Sequence, residues 1–303
     1  NFETLLRRKE NMEEQKYTAL VLSGGGARGC AHIGAIKVLE QNGFKITSVA
    51  GTSMGALVGG IFASGQLREF EEWISSLDIR EVLRLTDFTI SRKGLVKGKR
   101  VIDKIKQIVP ERNIEELPIP FCAVATDIIN GTEIDFTKGN LFEAIRASIS
   151  IPTVFQPLRI GDRYFVDGGL TNPVPVNRVA RNKNDILVVV NVNAHTPHDK
   201  IWNETAHPAE SRYSAQIAKI KTKLSNLIPE KKTDDIGIFN LTNLSLGTMT
   251  RTISELTLEK QTTDILINIS KEAFGTFDFY KAKDIIKEGE EAALKTLRKM
   301  GYI

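Results

Sequence analysis

Cysteine and histidine are both scarce in this chain, and several chemistries fall with them. Two cysteines, Cys30 and Cys122, stand among 303 residues, neither in a C-x-x-C pair nor in a Cys/His cluster. That excludes a disulfide framework and the usual zinc-ligand spacings, and it suits a reducing compartment. Four histidines leave few candidates for the base that serine nucleophiles usually employ. No apolar run is long enough to span a membrane; the best, Val49 to Ala63, is short and interrupted by glycine and serine. A buried strand, turn and helix account for it better. Charge of one sign is missing too. The net charge of +4 is spread among interleaved acids and bases, which gives no nucleic-acid footprint but suits anionic lipid. Asn1 to Lys16 is a charged segment without the apolar core of a secretory signal, and the start at Asn1 is compatible with a missing upstream segment. The expected location is the cytoplasm or the periphery of a membrane.

What remains is an ordinary globular composition, 41% hydrophobic and 26% charged, with chain enough for a full core. Strand and helix patterns alternate through the first half. Strands are predicted at Thr18 to Ser23, Ile46 to Ala50, Phe121 to Thr126, Thr132 to Phe136, Arg163 to Val166 and Asp185 to Val192. Helices are predicted at Gly29 to Asn42, Met54 to Ala63, Leu67 to Leu77, Lys99 to Val109 and Leu141 to Ser148. This order predicts a mainly parallel sheet with helices on its faces. A polar, basic loop is expected over Thr89 to Gly98, and a longer surface loop over Ala194 to Glu210. Helical patterns return at Ser211 to Leu227, Thr248 to Thr263 and Tyr280 to Lys299, giving a helical C-terminal third. No linker separates it, so residues 17–303 are expected to form one domain.

Two glycine-bearing turns carry the chemistry. Gly24, Gly26 and Gly29 fit G-x-G-x-x-G between the first strand and its helix. A dinucleotide cradle, an anion site at a helix N-terminus, or part of a catalytic pocket would each use such a turn. A dinucleotide site should have an acid at the end of the second strand, where Ala50 instead runs into a serine turn. A P-loop needs Lys and Ser/Thr where Cys30 and Ala31 stand. The second turn, Gly51-Thr-Ser-Met-Gly55, matches G-x-S-x-G between strand and helix, the setting in which a tight turn lifts a serine hydroxyl above the sheet. Otherwise Ser53 is a helix cap.

A nucleophile needs a base. His195, His198 and His207 lie in the polar loop, and His32 reads better as a packed imidazole. Asp167 is the alternative, at the start of Asp167-Gly-Gly-Leu-Thr-Asn-Pro173, where Gly168 and Gly169 permit close approach; its bland reading is a turn residue. The Gly24, Gly25, Gly26 and Arg28 stretch would then present N–H donors to an oxyanion. The side chain of Arg28 suits either a head-group phosphate or a salt bridge that steadies the loop.

In the order Gly24-Gly-Gly-Ala-Arg-Gly29, Gly51-Thr-Ser-Met-Gly55 and Asp167-Gly-Gly169, the chain resembles the patatin-like phospholipase family of lipid acyl hydrolases. The resemblance implies a three-layer α/β/α fold and a Ser53–Asp167 dyad, with Gly24 to Arg28 as oxyanion hole and Gly51, Gly55, Gly168 and Gly169 as supporting turns. It further implies phospholipid or other acyl-ester substrates, with no metal or organic cofactor. Residues 194–263 fit the pattern least and are expected to be an insertion shaping lipid access. A catalytically idle lipid-binding scaffold and a nucleotide-binding oxidoreductase remain as alternatives. Two further stretches read as structural: the apolar stripe of Leu67, Phe70, Trp73, Ile74 and Leu77 as core, and the basic group Arg92, Lys93, Lys97, Lys99 and Arg100 as a solvated face.

Overall fold

Alternate residues of the first apolar run enter two different cores. In β1 (Lys16–Leu22), Leu20 and Leu22 face one side of the sheet while Ala19 and Val21 face the other, all without solvent exposure. β7 (Ile186–Ala194) divides in the same way, with Val188, Val190 and Val192 on the first side and Leu187 and Val189 on the second. Continuous β-branched runs are the signature of strands covered on both faces. A computed structural model describes residues 15–85, 98–198 and 238–303, and shows both β1 and β7 as interior strands of an eight-stranded sheet.

The other strands are β2 (Phe44–Thr52), β3 (Phe121–Asp127), β4 (Thr132–Phe136), β5 (Leu158–Ile160), β6 (Arg163–Asp167) and β8 (Ile265–Ser270). Hydrogen-bonded neighbours follow the order β5-β6-β3-β2-β1-β7-β8, with β4 on β3. β1, β2, β3, β7 and β8 are mutually parallel, and β4, β5 and β6 form an antiparallel flank. The helices are α1 (Ala31–Gln41), α2 (Met54–Ala63), α3 (Leu67–Ser76), α4 (Ile79–Leu85), α5 (Lys99–Ile105), α6 (Leu141–Ser148), α7 (Ile238–Lys260) and α8 (Ala282–Lys299).

One face of the sheet is covered by α1, α2, α6 and α8, whose apolar residues join Leu20, Val49 and Ile265 in the main core. The other face carries a thinner layer: the segment with Val174, Val176 and Val179, and α7 through Leu258. The expected α/β/α layering is therefore present, with unequal layers. Phe70, Ile74 and Leu77 are buried and Trp73 packs beside them, as the apolar stripe predicted. Both cysteines are free and buried. Among the described residues no helix is long and apolar enough to cross a membrane.

Three differences from the sequence reading are informative. β8 interrupts the expected helical third; its alternation of Ile265, Ile267 and Ile269 buries one face. α4 is a further helix beyond those predicted. α7 begins ten residues before the predicted start at Thr248. Residues 89–97 of the basic loop, with Arg92, Lys93 and Lys97, the helix predicted at Ser211 to Leu227, and the segment Asn1 to Glu14 lie outside the described residues.

Candidate active site

Ser53 sits between β2 and α2 at φ 56°, ψ −123°, a conformation that side chains rarely adopt. Such strain, of order 1–3 kcal/mol, persists only where the surroundings enforce it. The flanking glycines show how. A methyl group at Gly55 would lie 2.3 Å from the Leu22 carbonyl oxygen, and one at Gly51 would lie 2.3 Å from that of Gly55. The turn is thus pressed against β1 and against itself, at distances that only glycine permits. From the other side, the Ser53 amide donates to Ser148 Oγ at 2.8 Å, and the Ser148 hydroxyl donates to the Val124 carbonyl at 2.6 Å. Ser148 therefore ties the strained turn to β3. Ser148→Ala would leave a buried N–H and a buried C=O without this partner, and we expect a loss of about 1–3 kcal/mol in urea unfolding.

The register of β3 explains how a second residue reaches Ser53 across 114 positions of sequence. One edge of β3 is occupied by β4. Along the opposite edge, β2 arrives in parallel and ends with Thr52 beside Val124, while β6 arrives antiparallel and ends with Asp167 beside Ala125. The two strands meet end to end, and their last residues converge. Gly168 is required at the junction, because a methyl group there would lie 2.2 Å from the Val124 carbonyl oxygen. The Asp167 amide donates to the Ser150 carbonyl, and the Thr52 hydroxyl donates to the Asn172 carbonyl at 2.7 Å, which holds both strand ends.

Ser53 Oγ donates to Asp167 Oδ2 at 2.5 Å, and Gly169 N–H donates to Asp167 Oδ1 at 2.8 Å. Ser53 is 4% exposed and Asp167 6%. Burial disfavours the carboxylate and pushes Asp167 up to about 6, against the opposing effect of its bonds from Ser53 and Gly169. A hydroxyl held against a carboxylate of raised basicity has the geometry of a nucleophile and its base.

Gly24 abuts Ser53, since a methyl group at Gly24 would approach Ser53 Cβ to 3.3 Å. Its N–H is already donated to the Pro173 carbonyl, and its own carbonyl accepts from Asn193 Nδ2. Gly25 and Gly26 open the 3₁₀ turn Gly26–Cys30, where the first N–H groups have no acceptor within the turn. Gly26 has φ 58° and presses on Thr276. The Arg28 guanidinium donates to the carbonyls of Val192 and Phe274, to Thr276 Oγ1 and to Asn193 Oδ1. It fastens the glycine turn to the end of β7 and to the Phe274–Thr276 segment through carbonyl, hydroxyl and amide oxygens rather than through a salt bridge. Burial pushes it down to about 10, with Asp278 acting in the opposite sense, so it stays cationic at neutral pH.

The histidines divide as the sequence suggested. His32 is buried, donates Nε2–H to the Ser23 carbonyl at 2.8 Å, and is pushed down to about 4 by desolvation. It is a neutral packing residue. His195 is exposed beyond β7, and His198 lies 3.5 Å from Glu288. His207 lies outside the described residues. The Ser53 hydroxyl is thus partnered by a carboxylate, not an imidazole. Among the described residues no cluster of three or more His, Cys, Asp or Glu side chains is arranged to hold a metal ion.

A cavity of about 470 Å³ opens over Ser53 and Asp167, lined by Gly24, Gly25, Gly26 and Arg28. Apolar wall is added by Ile151, Val154, Leu170 and, from α7, Leu244 and Leu246. The helix is held over the cavity where Thr153 Oγ1 donates to Asn243 Oδ1 at 2.7 Å and Thr250 Oγ1 donates to the Gly169 carbonyl.

A sequence model described as patatin-like phospholipase matches residues 20–180, which contain both turns and the Asp167 loop. An uncharacterized NTE family protein of Mycobacterium tuberculosis is 32% identical over 92% of this chain and 91% of its own. The chain belongs to the patatin-like phospholipase family. Patatin-like phospholipase domain-containing protein 7 of Rattus norvegicus is 32% identical over 68% of this chain, a region that makes up 17% of that protein. The crystal structure of VipD from Legionella pneumophila aligns over 94% of this chain and 67% of that one, with 14% identity and a TM-score of 0.47. In this patatin-like chain, sequence reasoning missed Ser148, which positions the serine turn, and Asn193, which positions the glycine turn and itself lines the cavity. Neither stands in a motif; each acts through a contact between distant segments.

Proposed function

We propose that the protein hydrolyses carboxylic acyl esters of lipids through an acyl-Ser53 intermediate, with Asp167 as its base. The observation that carries this reading is the 2.5 Å hydrogen bond from Ser53 Oγ to Asp167 Oδ2 at the floor of a partly apolar cavity. Ser53 Oγ attacks the ester carbonyl carbon as its proton passes to Asp167. The carbonyl oxygen becomes an oxyanion, stabilised by the N–H groups of Gly25 and Gly26, which open the 3₁₀ turn. Gly24 shapes this wall but spends its N–H on Pro173. Collapse of the tetrahedral intermediate breaks the bond to the alcohol, which leaves with the proton from Asp167. Water then attacks the acyl-enzyme, Asp167 takes a proton from it, and the carboxylic acid departs as Ser53 recovers its proton.

We further infer that residues 17–303 act as one catalytic unit, in which α7 supplies lipid access. Its Leu244 and Met249 are 58% and 60% exposed, and residues 238–250 include no charged side chain. That favours contact with a lipid surface. The oxidoreductase reading loses support because β2 ends in Thr52 and leads into Ser53, with no carboxylate for a ribose.

The test is intact-mass analysis after exposure to a lipid-like fluorophosphonate. The expected result is one adduct on the wild type, with loss of fluoride, and none on Ser53→Ala or Asp167→Asn. An unlabelled wild type, with membranes present, would favour an idle lipid-binding scaffold. The pH profile supplies a second expectation. Asp167 must be ionised to accept the proton, and burial raises it to about 6, so kcat/KM should fall about tenfold per pH unit below that value. An activity that stayed level down to pH ~4 would remove Asp167 as the base.

A further inference from the structure

The carboxyl ends of β1 and β2 deliver the glycine turn and Ser53; those of β7 and β8 deliver a group the mechanism above does not use. His195 follows β7 and Lys271 follows β8, joined by the Lys271 amide donating to the Ala194 carbonyl. Lys271 Nζ lies 2.6 Å from His195 Nε2, and Arg251 Nη1, from α7, lies 3.1 Å from the same nitrogen. Ammonium and guanidinium groups only donate, so Nε2 can meet both of them only as an acceptor. Two cations thus share one lone pair. Among the described residues the carboxylate within ion-pair distance of either is Glu255, 3.8 Å from Arg251 Nε and about half exposed. An exposed pair at that distance offsets little of the local positive charge.

Both cations line the same cavity as Ser53 and Asp167, together with the apolar wall of Leu244, Leu246 and Leu170. We propose that Lys271 and Arg251, spaced by His195, are the residues that hold the phosphate of a lipid head group beside Ser53. A phosphate oxygen would replace the imidazole lone pair as acceptor and answer both charges at once, as guanidinium and ammonium groups do for phosphate elsewhere. This rests on the acyl-hydrolase reading of the cavity and adds the polar half of the substrate to it.

The experiment separates the two readings. On the catalytically silent Ser53→Ala protein, binding of lysophosphatidylglycerol and of monoacylglycerol with the same acyl chain is measured by calorimetry below their micelle concentrations. We expect the phosphate-bearing lipid to bind at least about tenfold more tightly, and this preference to fall about tenfold in Lys271→Gln and in Arg251→Gln, while Lys271→Arg keeps it. A preference that persists in the double Gln variant, or an equal loss for both lipids, would overturn the subsite. Glycerol phosphate binding as tightly as the lysolipid would overturn the lipid head-group assignment in favour of a soluble phosphate ester. Turnover by the wild type on both lipids forms the second arm, read as the ratio of their kcat/KM values. If the wild type hydrolyses neither, the hydrolase reading fails, and the binding arm still decides the subsite.

Discussion

On the proposed mechanism, replacing either member of the Ser53–Asp167 pair should reduce ester turnover by on the order of 10⁴- to 10⁶-fold, as in serine hydrolases whose groups act as a unit. Replacing Asp167 should also change stability. Asp167 is buried and its folded pKa stands near 6, above the ordinary aspartate value of 3.8, so the folded state binds the proton more tightly than the unfolded chain. The stability linked to that proton is fully present below pH ~4 and is lost as pH rises through about 6. At pH 7 the ionised Asp167 therefore costs roughly 3 kcal/mol of folding stability, the upper bound for what Asp167→Asn can recover. The amide retains an oxygen for Gly169 N–H and gains a donor for Ser53 Oγ. Asp167→Asn should thus be inactive yet more resistant to urea than the wild type at pH 7, with the difference vanishing near pH ~4. A variant less stable at both pH values would show that burial of this carboxylate carries no such cost. Retained turnover would end the dyad reading.

The second large effect is on folding. Helices α1 and α8 touch backbone to backbone: a methyl group at Gly34 would lie 2.0 Å from the Ile286 carbonyl oxygen, and one at Gly289 would lie 2.0 Å from that of Ala31. No side-chain rotation relieves such a clash, so the helices must part, loosening the packing of Ile285, Ala293 and Leu297 in the core. Gly34→Ala and Gly289→Ala should each lose about 3 kcal/mol or more, at the upper end of overpacking effects. Because they disturb one contact, the double variant should lose less than the two losses added. Gly43→Ala is the control. Its φ of 79° is unfavourable for alanine, but nothing lies within 4 Å, so its cost is backbone strain of about 1–2 kcal/mol. Urea unfolding of the three single variants would decide it; a Gly34→Ala loss no greater than that of Gly43→Ala would mean that the helices can separate freely.

α2 and α6 were legible to the residue, because an apolar helical pattern starts and stops sharply at Met54–Ala63 and Leu141–Ser148. α7 was legible only in its second half. Its first turns hold Asn243, Ser245, Gly247 and Thr248, which favour helix weakly, and they are held by tertiary bonds such as that from Thr153 to Asn243. β8 was hidden because Ile265 to Ser270 is a short run between helical stretches, and its partner β7 is remote in sequence. The glycines of the serine turn could be read from their motif, whereas Gly34 and Gly289 lie within helices, where only the partner helix reveals why a side chain is excluded.

By itself, the sequence determined the α/β class and the places of the serine turn, the glycine turn before α1 and the Asp167-Gly-Gly turn, because each is written in the local spacing of glycines and apolar residues. Only the tertiary structure decided that Ser53 meets Asp167, that Gly24 spends its N–H on Pro173, and that Lys271 and Arg251 converge on His195. Those contacts depend on strand register and on the approach of distant segments, and no local pattern encodes which strand ends will meet.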